Sequence, residues 1–344
     1  MNATINLEKK HFPVLLNDLV KIISPLYGGT FIDCTFGQGG YSNKILENKS
    51  NKIIALDRDK DTEKIAKKFK KKYGKRFIFH NSKFSNIKLI KSRDIKGVIF
   101  DLGYSLNQIK DTKKGLSFNS QGKLNMKLGL NDFSCHEVIN NLDQKDLFLI
   151  LKFFGEEKQA KIIARRIINF RKKKIIETQD LISIINSVKK FNKKKINNST
   201  QVFQALRIFV NNEISELIKG LIGAYNILPI GGLIAVVSFH SIEDKIIKYF
   251  FNYYSKIFNN SRYLPEKDEN NKYFNVINKK PIVPSVSELK VNPSSRSAKL
   301  RCAIKTRNGC DFVEFYDKFK YLTSVEELKL KLWKNLSQYL QFCL

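Results

Sequence analysis

Phe31-Ile-Asp-Cys-Thr-Phe-Gly-Gln-Gly-Gly-Tyr-Ser42 is the stretch whose reading decides the fold. It reads as a buried β-strand, Thr30–Cys34, that runs into a glycine loop and then the start of a helix. Glycines at 37, 39 and 40 let the backbone turn sharply and bring its N–H groups close to a ligand, where any Cβ would collide. Alone, such a loop is also what an ordinary strand-to-helix turn looks like. Its neighbours decide between the two.

Lys52-Ile-Ile-Ala-Leu-Asp57 is a second apolar strand, and it ends in a carboxylate twenty positions beyond Gly37. An α/β nucleotide fold places an acid there for the ribose hydroxyls. A dinucleotide fingerprint would want a third glycine at position 42, where Ser42 stands. The loop therefore argues less for NAD than for another adenosine ligand, of which S-adenosylmethionine is the commonest on such a sheet. Arg76-Phe-Ile-Phe-His80 makes a third strand, after which Phe84 either lies against an adenine ring or is an ordinary core aromatic. Gly97-Val-Ile-Phe-Asp101 makes a fourth, followed by Leu102-Gly-Tyr-Ser-Leu-Asn-Gln108. In a parallel doubly wound sheet these strand ends line one crevice, so Gly37, Asp57, Phe84 and Asp101 should converge.

Upstream, His11 to Ile23 predicts a packing helix with Val14, Leu15, Leu19, Ile22 and Ile23 on one face. From about 109 to 210 the apolar period becomes helical, with helices over Asp143–Phe154, Glu157–Lys172 and Thr178–Val188. This is an inserted helical domain. It carries the basic runs Arg165-Arg166, Arg171–Lys174, Lys189-Lys190 and Lys193–Lys195, interleaved with Phe170 and Phe191. Several such runs in one insert suggest a surface that tracks phosphates, against the plainer reading of solvated faces. Thr200 to Val210 leads into a helix reaching Leu228, and the strand Leu233–Ser238 then resumes the sheet. A polar cluster, His240-Ser-Ile-Glu-Asp244, opens the next helix, where the histidine serves either as a cap or as a reactive group. Residues 252–295 read as a long, partly mobile loop, and Asn292 to Lys305 as a basic loop entering a last strand. Ser324-Val-Glu-Glu327 reads as a capping box opening an amphipathic helix with Leu328, Leu332, Leu336, Tyr339 and Phe342.

The length of 344 residues suggests roughly two domains with ample core. No apolar run approaches the ~20 residues of a membrane-spanning helix, and Met1-Asn-Ala-Thr-Ile-Asn has no leader pattern. The five cysteines are scattered and odd in number, which fits free thiols in a reducing cytoplasm better than disulfides or zinc. A net charge of +30 points to a polyanionic partner, nucleic acid ahead of acidic membrane, although a general bias to Lys, Asn and Ile contributes to it.

The ordered blocks carry a resemblance. His11–Leu15, Asp33-x-Thr-Phe-Gly-x-Gly-Gly-x-Ser42, Ala55-Leu-Asp-Arg-Asp59, Asp101-Leu-Gly103 with Ser105 and Gln108, Gly115–Phe118, Gly155-Glu156, Phe203–Arg207, Ser238–Asp244, and Asn292-Pro with Arg296-Ser297 cover about residues 11 to 306. In these blocks the sequence resembles the bacterial 16S ribosomal RNA (cytosine-N4)-methyltransferases, the RsmH or MraW family. The resemblance implies a Rossmann-like class I S-adenosylmethionine-dependent methyltransferase sheet with an inserted all-helical domain. It divides the chain into a methyltransferase part at 1–108, a substrate-recognition insert at 109–210, a second methyltransferase part at 211–306 and a helical extension at 307–344. It implies S-adenosylmethionine as cofactor, held by Gly39, Gly40, Tyr41, Asp57, Phe84, Asp101 and Gln108 together with the Gly37 read from the loop, and a decoding-centre cytidine of 16S rRNA or the small ribosomal subunit as substrate.

Asp101 is a candidate proton acceptor for the amine, with His240, Ser241 and Glu243 a second set for contacting the base or relaying a proton. No metal and no membrane partner are expected, and the choice between monomer and homodimer stays open. Departures from the family pattern are Tyr41 for a histidine, Leu106 for a serine, Asn125 for a carboxylate and Gln201 for an arginine. Rival readings are a Rossmann dehydrogenase, against which Ser42 counts, and a non-catalytic RNA-binding protein with a vestigial cradle. A zinc deaminase is excluded, because His-x-Glu with Cys-x-x-Cys is absent.

Overall fold

The computed structural model describes residues 13–104, 111, 114–116, 120, 122–131, 133–174, 176–189, 197–256 and 272–333. The chain divides into two compact units, one of residues 1–103 with 220–311 and one of 104–219 with 312–344.

The first unit holds a seven-stranded sheet, counted over the described residues, in the order β3-β2-β1-β4-β5-β7-β6. Its strands are β1 (Thr30–Asp33), β2 (Lys52–Asp57), β3 (Phe77–Asn81), β4 (Ile95–Asp101), β5 (Leu233–Ser238), β6 (Phe274–Val276) and β7 (Lys299–Lys305). The first five pair in parallel, whereas β7 runs antiparallel to β5 and to β6. Covered on both faces, the central parallel strands must be apolar at successive positions rather than alternately. Ile53–Leu56, Val98–Phe100 and Leu233–Val237 meet that condition and are all buried.

Helix α1 (Leu16–Ile23) buries Leu19 and Ile23 against this sheet's core. Leu15 is not part of its helical face. It caps the helix in the left-handed region at φ 53°, and its N–H donates to Glu288 Oε1 at 2.8 Å. Further along come α2 (Gly40–Leu46) and the lysine-rich α3 (Glu63–Tyr73).

The stretch expected to be a loop from 252 to 295 is partly regular. Strand β6 lies at the sheet edge with Phe274 fully buried, and α11 (Val286–Val291) follows it, with α10 (Ser241–Tyr253) ahead. At three residues, β6 is too short for its alternation to register as a strand pattern. Residues 257–271 lie outside the described residues.

In the second unit, α4 (Cys135–Asn141), α5 (Gln144–Gly155), α6 (Ala160–Arg171), α7 (Thr178–Val188) and α8 (Thr200–Asn211) pack together. Gly155 permits the close α5–α8 approach, since a Cβ there would sit 2.6 Å from the Gln201 carbonyl oxygen. Fully buried Asn211 accepts from the Leu128 amide at 3.0 Å and donates to the Met126 carbonyl at 2.9 Å, tying the 124–128 segment to α8. Helix α9 (Glu213–Ile227) starts in this unit, and the division between the units falls at Lys219/Gly220.

The last helix differs from expectation. It is α12 (Val313–Glu326), so Ser324 is inside a helix rather than capping one, and its Oγ donates to the Lys320 carbonyl at 2.8 Å. Ser-x-x-Glu marks a helix start only where the preceding chain is not already helical. Helical turns continue over 329–333 and bury Leu332, while Leu336, Tyr339 and Phe342 lie outside the described residues.

Buried Glu326 of α12 accepts the Ile214 and Ser215 amides, each at 2.9 Å, and so caps α9. Lys329 adds bonds to the Val210 carbonyl and Asn212 Oδ1. Among the described residues no helix is long and apolar enough to cross a membrane. Glu326→Ala leaves two amides of the α9 first turn without this partner and should cost about 2 kcal/mol in urea unfolding.

Candidate active site

Strand β1 has β2 on one side and β4 on the other, so the sheet order reverses there and opens a crevice beyond the carboxyl ends of those strands. Three aspartates stand at these ends: Asp33 on β1, Asp57 on β2 and Asp101 on β4. Asp33 is almost fully buried; its Oδ2 accepts from Ser42 Oγ at 2.6 Å, and its Oδ1 from the Thr35 amide at 3.3 Å. Thr35 Oγ1 in turn accepts the Asp101 amide at 2.6 Å, tying the β1 loop to β4. Ser42, the residue that breaks the dinucleotide fingerprint, is therefore engaged in holding Asp33.

Asp57 fixes the glycine loop. Its Oδ2 accepts the Gly37 amide at 2.7 Å and its Oδ1 the Asp59 amide at 2.8 Å. Each oxygen keeps lone-pair capacity for a ribose hydroxyl. Gly37 has φ +51°, and a Cβ on it would meet nothing closer than 3.8 Å, so its glycine is required by conformation. Gly39, at φ +75°, serves the turn as read in the sequence, but at Gly39 and Gly40 a second reason applies. A Cβ on Gly39 would stand 2.4 Å from the Phe69 ring, and one on Gly40 2.1 Å from Pro13 Cγ. These two glycines admit the protein's own side chains, which no local motif reveals.

Tyr41 is 4% exposed and belongs to the core; its hydroxyl donates to the Val14 carbonyl, so it offers the crevice no open ring. Half-buried Phe84 lies edge-on to Phe100, with ring centroids 5.4 Å apart. Gly220 makes room for it, since a Cβ there would lie 2.6 Å from the Phe84 ring. Gln108 lies outside the described residues, as does Leu106.

Burial lifts all three aspartates. Asp33 and Asp57 rise to about 6, through desolvation against the pull of their hydrogen bonds. Asp101 rises to about 7, chiefly through desolvation, with the charges of Asp33 and Glu243 adding to it. Its Oδ1 accepts the Gly103 amide at 3.2 Å.

At α10 the sequence left His240 open between a cap and a reactive group, and the structure makes it a cap. His240 Nδ1 accepts the Glu243 amide at 3.4 Å, while Glu243 Oε2 accepts the Phe239 and His240 amides at 2.8 and 3.4 Å. Glu243 is 4% exposed, and Ser241 is exposed at the first helical position. Asp244, which follows, is salt-bridged to Arg301 and Lys299.

A family model described as the MraW methylase family matches residues 8–306. The chain belongs to that family. Ribosomal RNA small subunit methyltransferase H of Rickettsia bellii (strain OSU 85-389) is 39% identical over 304 residues, 87% of this chain and 100% of that protein. The protein of the same description from Ehrlichia canis (strain Jake) is 39% identical over 302 residues, 86% and 99%, and that of Rickettsia prowazekii (strain Madrid E) 37% over 300 residues, 86% and 98%.

As a MraW methylase the protein is an S-adenosylmethionine-dependent methyltransferase. Its donor set fits that cofactor. Buried carboxylates lifted towards neutrality gain from a ligand that brings a sulfonium and an ammonium charge, Asp57 has hydroxyl-accepting capacity, and Phe84 has a ring beside the β3 end. In the sequence Asp33 and Thr35 stand only as matching positions, and Ser42 as the residue in place of a third glycine. An aspartate at the end of a buried strand with Ser nine residues on was the available signal.

The basic runs also resolve into two kinds. Arg171 Nη1 donates to the Ile139 and Leu142 carbonyls at 3.2 and 2.6 Å, which closes the end of α4. Lys174 pairs with Asp180, and Lys189 with buried Glu157. Arg171 and Lys189 are thus held against the protein itself, while Lys174 stays exposed. Exposed Lys158, Lys161, Arg165, Arg166, Lys172 and Lys173 instead run along α6 and its flanks, and α6 itself carries no acid. Lys190, Phe191 and Lys193–Lys195 lie outside the described residues.

Asp57→Asn should weaken S-adenosylmethionine binding about tenfold or more by calorimetry, because an amide cannot accept from both the loop and the ribose as a carboxylate does. The raised Asp101 gives a second expectation. Between the ordinary aspartate value of 3.8 and about 7 the folded chain holds a proton that the unfolded chain has lost, so this group's contribution to stability falls as pH rises through that window. Asp101→Asn should therefore raise the melting temperature by a few degrees at pH 8, by less at pH 5 and hardly at all below pH 4.

Proposed function

We propose that the protein methylates the exocyclic N4 of a cytidine in the decoding centre of 16S ribosomal RNA. The observation that carries this reading is Asp101, a carboxyl at the crevice end of β4 that burial and neighbouring acids place at about 7. The cytosine amine is a poor nucleophile, because its lone pair is delocalised into the ring. Its methylation needs in-line positioning and an acceptor for the proton shed as the C–N bond forms, and an acceptor works best near the operating pH. When bound, the cofactor supplies an activated methyl group. The relatives' shared description, a ribosomal RNA small subunit methyltransferase, supports RNA of the small subunit as substrate.

The chain's own residues divide the remaining tasks. Asp57 and the Gly37 loop would hold the ribose side, Phe84 the adenine, and Asp33 with Asp101 the charged end. Unstacking the target base costs a few kcal/mol, which phosphate contacts to the basic stripe on α6 would offset. His240 and Glu243 hold the start of α10.

Transfer of labelled methyl to isolated small subunits and to naked RNA, with the product base identified by mass spectrometry, tests the reading. N4-methylcytidine is expected and should vanish with Asp101→Asn, whereas methylation of another atom would refute it. Reversing Arg165 and Arg166 to Glu should weaken RNA binding and reduce the slope of log K against log salt by about 2. An unchanged slope would make the α6 face a merely solvated one.

A further inference from the structure

Helix α3 (Glu63–Tyr73) has two unlike faces. On the inner one Ala66 is buried, and Ile65, Phe69 and Tyr73 pack on the sheet's core. Phe69 lies edge-on to Phe36 with ring centroids 5.1 Å apart, and it is the ring that Gly39 admits, so α3 is seated directly on the glycine loop. On the outer face Lys64, Lys67, Lys68 and Lys71 recur at i, i+3, i+4 and i+7, all exposed. Their stripe extends about 10 Å along the helix axis. Exposed Lys60 precedes it, three residues after Asp57, and exposed Lys75 follows it. Because β2 and β3 are parallel, the helix between them runs back from the crevice end of the sheet, and the stripe runs with it.

The cations here are of two kinds. Lys70 Nζ donates to the Phe77 carbonyl and Lys72 Nζ to Asn43 Oδ1, each at 3.2 Å, and Arg76 serves the carbonyls of Leu46, Asn48 and Asn51. The chain itself takes these up. Among the described residues, by contrast, Lys60, Lys64, Lys67, Lys68, Lys71 and Lys75 make no ion pair and no side-chain hydrogen bond. Lysines elsewhere in this unit do meet acids: Lys44 pairs with Glu47, Lys96 with Asp94 and Lys299 with Asp244. The one acid of α3, Glu63, stands in its first turn. Like charges three and four residues apart destabilise a helix, so this face opposes its own fold until a polyanion covers it. A face kept only for solubility would intersperse both signs.

We propose that the outer face of α3 is a second contact surface for small-subunit RNA, with Lys60, Lys64, Lys67, Lys68 and Lys71 tracking the phosphates of the strand that leaves the crevice. This rests on the reading of small-subunit RNA as substrate. Ammonium groups on phosphates position a strand without reading its bases. The part of α3 is to hold RNA on the unit that carries the strand-end aspartates, whereas the α6 face belongs to the other unit.

The test compares two variants of the full chain for binding naked 16S ribosomal RNA across a salt series. One combines Lys64→Gln, Lys67→Gln, Lys68→Gln and Lys71→Gln, which keeps helix propensity. The other combines Lys245→Gln, Lys248→Gln, Lys279→Gln and Lys280→Gln, which removes the same charge from exposed positions elsewhere in the unit. The α3 variant should lose about tenfold or more in affinity and reduce the slope of log K against log salt by about 3, while the other changes the slope by less than about 1. S-adenosylmethionine affinity should be unchanged in both, and the melting temperature of the α3 variant should not fall. An unchanged slope in the α3 variant, or equal changes in the two, overturns the proposal. Binding to anionic lipid vesicles that depends on the α3 lysines, with RNA binding unaffected, overturns it as well. If the α3 variant alone loses RNA affinity but the unaltered protein forms a product other than N4-methylcytidine, the contact surface stands and the failure lies in the functional reading.

Discussion

Burial of carboxylates at the ends of β1, β2 and β4 is the constraint on which the site depends. Three aspartates brought together out of water oppose one another, and the fold offsets that cost with fixed donors: Ser42 and the Thr35 amide to Asp33, the Gly37 and Asp59 amides to Asp57, the Gly103 amide to Asp101. Those same bonds shape the glycine loop. A chain with a net charge of +30 therefore keeps a local negative site at its sheet switch point, where a cationic ligand is stabilised, while its exposed surface suits a polyanion. On the proposed reading the first would order the cofactor and the second the nucleic acid.

Much of this was legible because parallel strands buried on both faces write themselves as apolar runs. Lys52–Asp57 and Leu233–Ser238 lie where the sequence puts them, and Asp57 and Asp101 end their strands as read. Long amphipathic helices such as Thr178–Val188 were equally plain. Features fixed by distant contacts were not. Nothing near Gly40 announces Pro13, nothing near Arg171 announces the carbonyls of Ile139 and Leu142, and the glutamate that looked like part of a capping box at 324–327 sits beside the one, Glu326, that caps a helix over a hundred residues upstream. A basic run read from sequence cannot say which of its members are turned inward.

Tyr41 shows the same limit. In the sequence it is a departure at a cofactor loop, which invites the idea of a ring laid against the ligand. In the structure its ring is core and its hydroxyl donates to the Val14 carbonyl. The extension beyond residue 306 is similarly tied in: Glu326 and Lys329 bond to the α8–α9 junction, and Lys331 pairs with buried Asp146. It forms part of the helical unit's framework.

The central claim is that the strand-end carboxylates are poised near neutrality to receive a cationic cofactor. Calorimetric titration of S-adenosylmethionine near pH 6.5, repeated in buffers of different ionisation enthalpy, counts the protons exchanged on binding. The account predicts net proton release, and more of it than for S-adenosylhomocysteine, whose sulfur carries no charge. No net release, or equal release with both ligands, would contradict it.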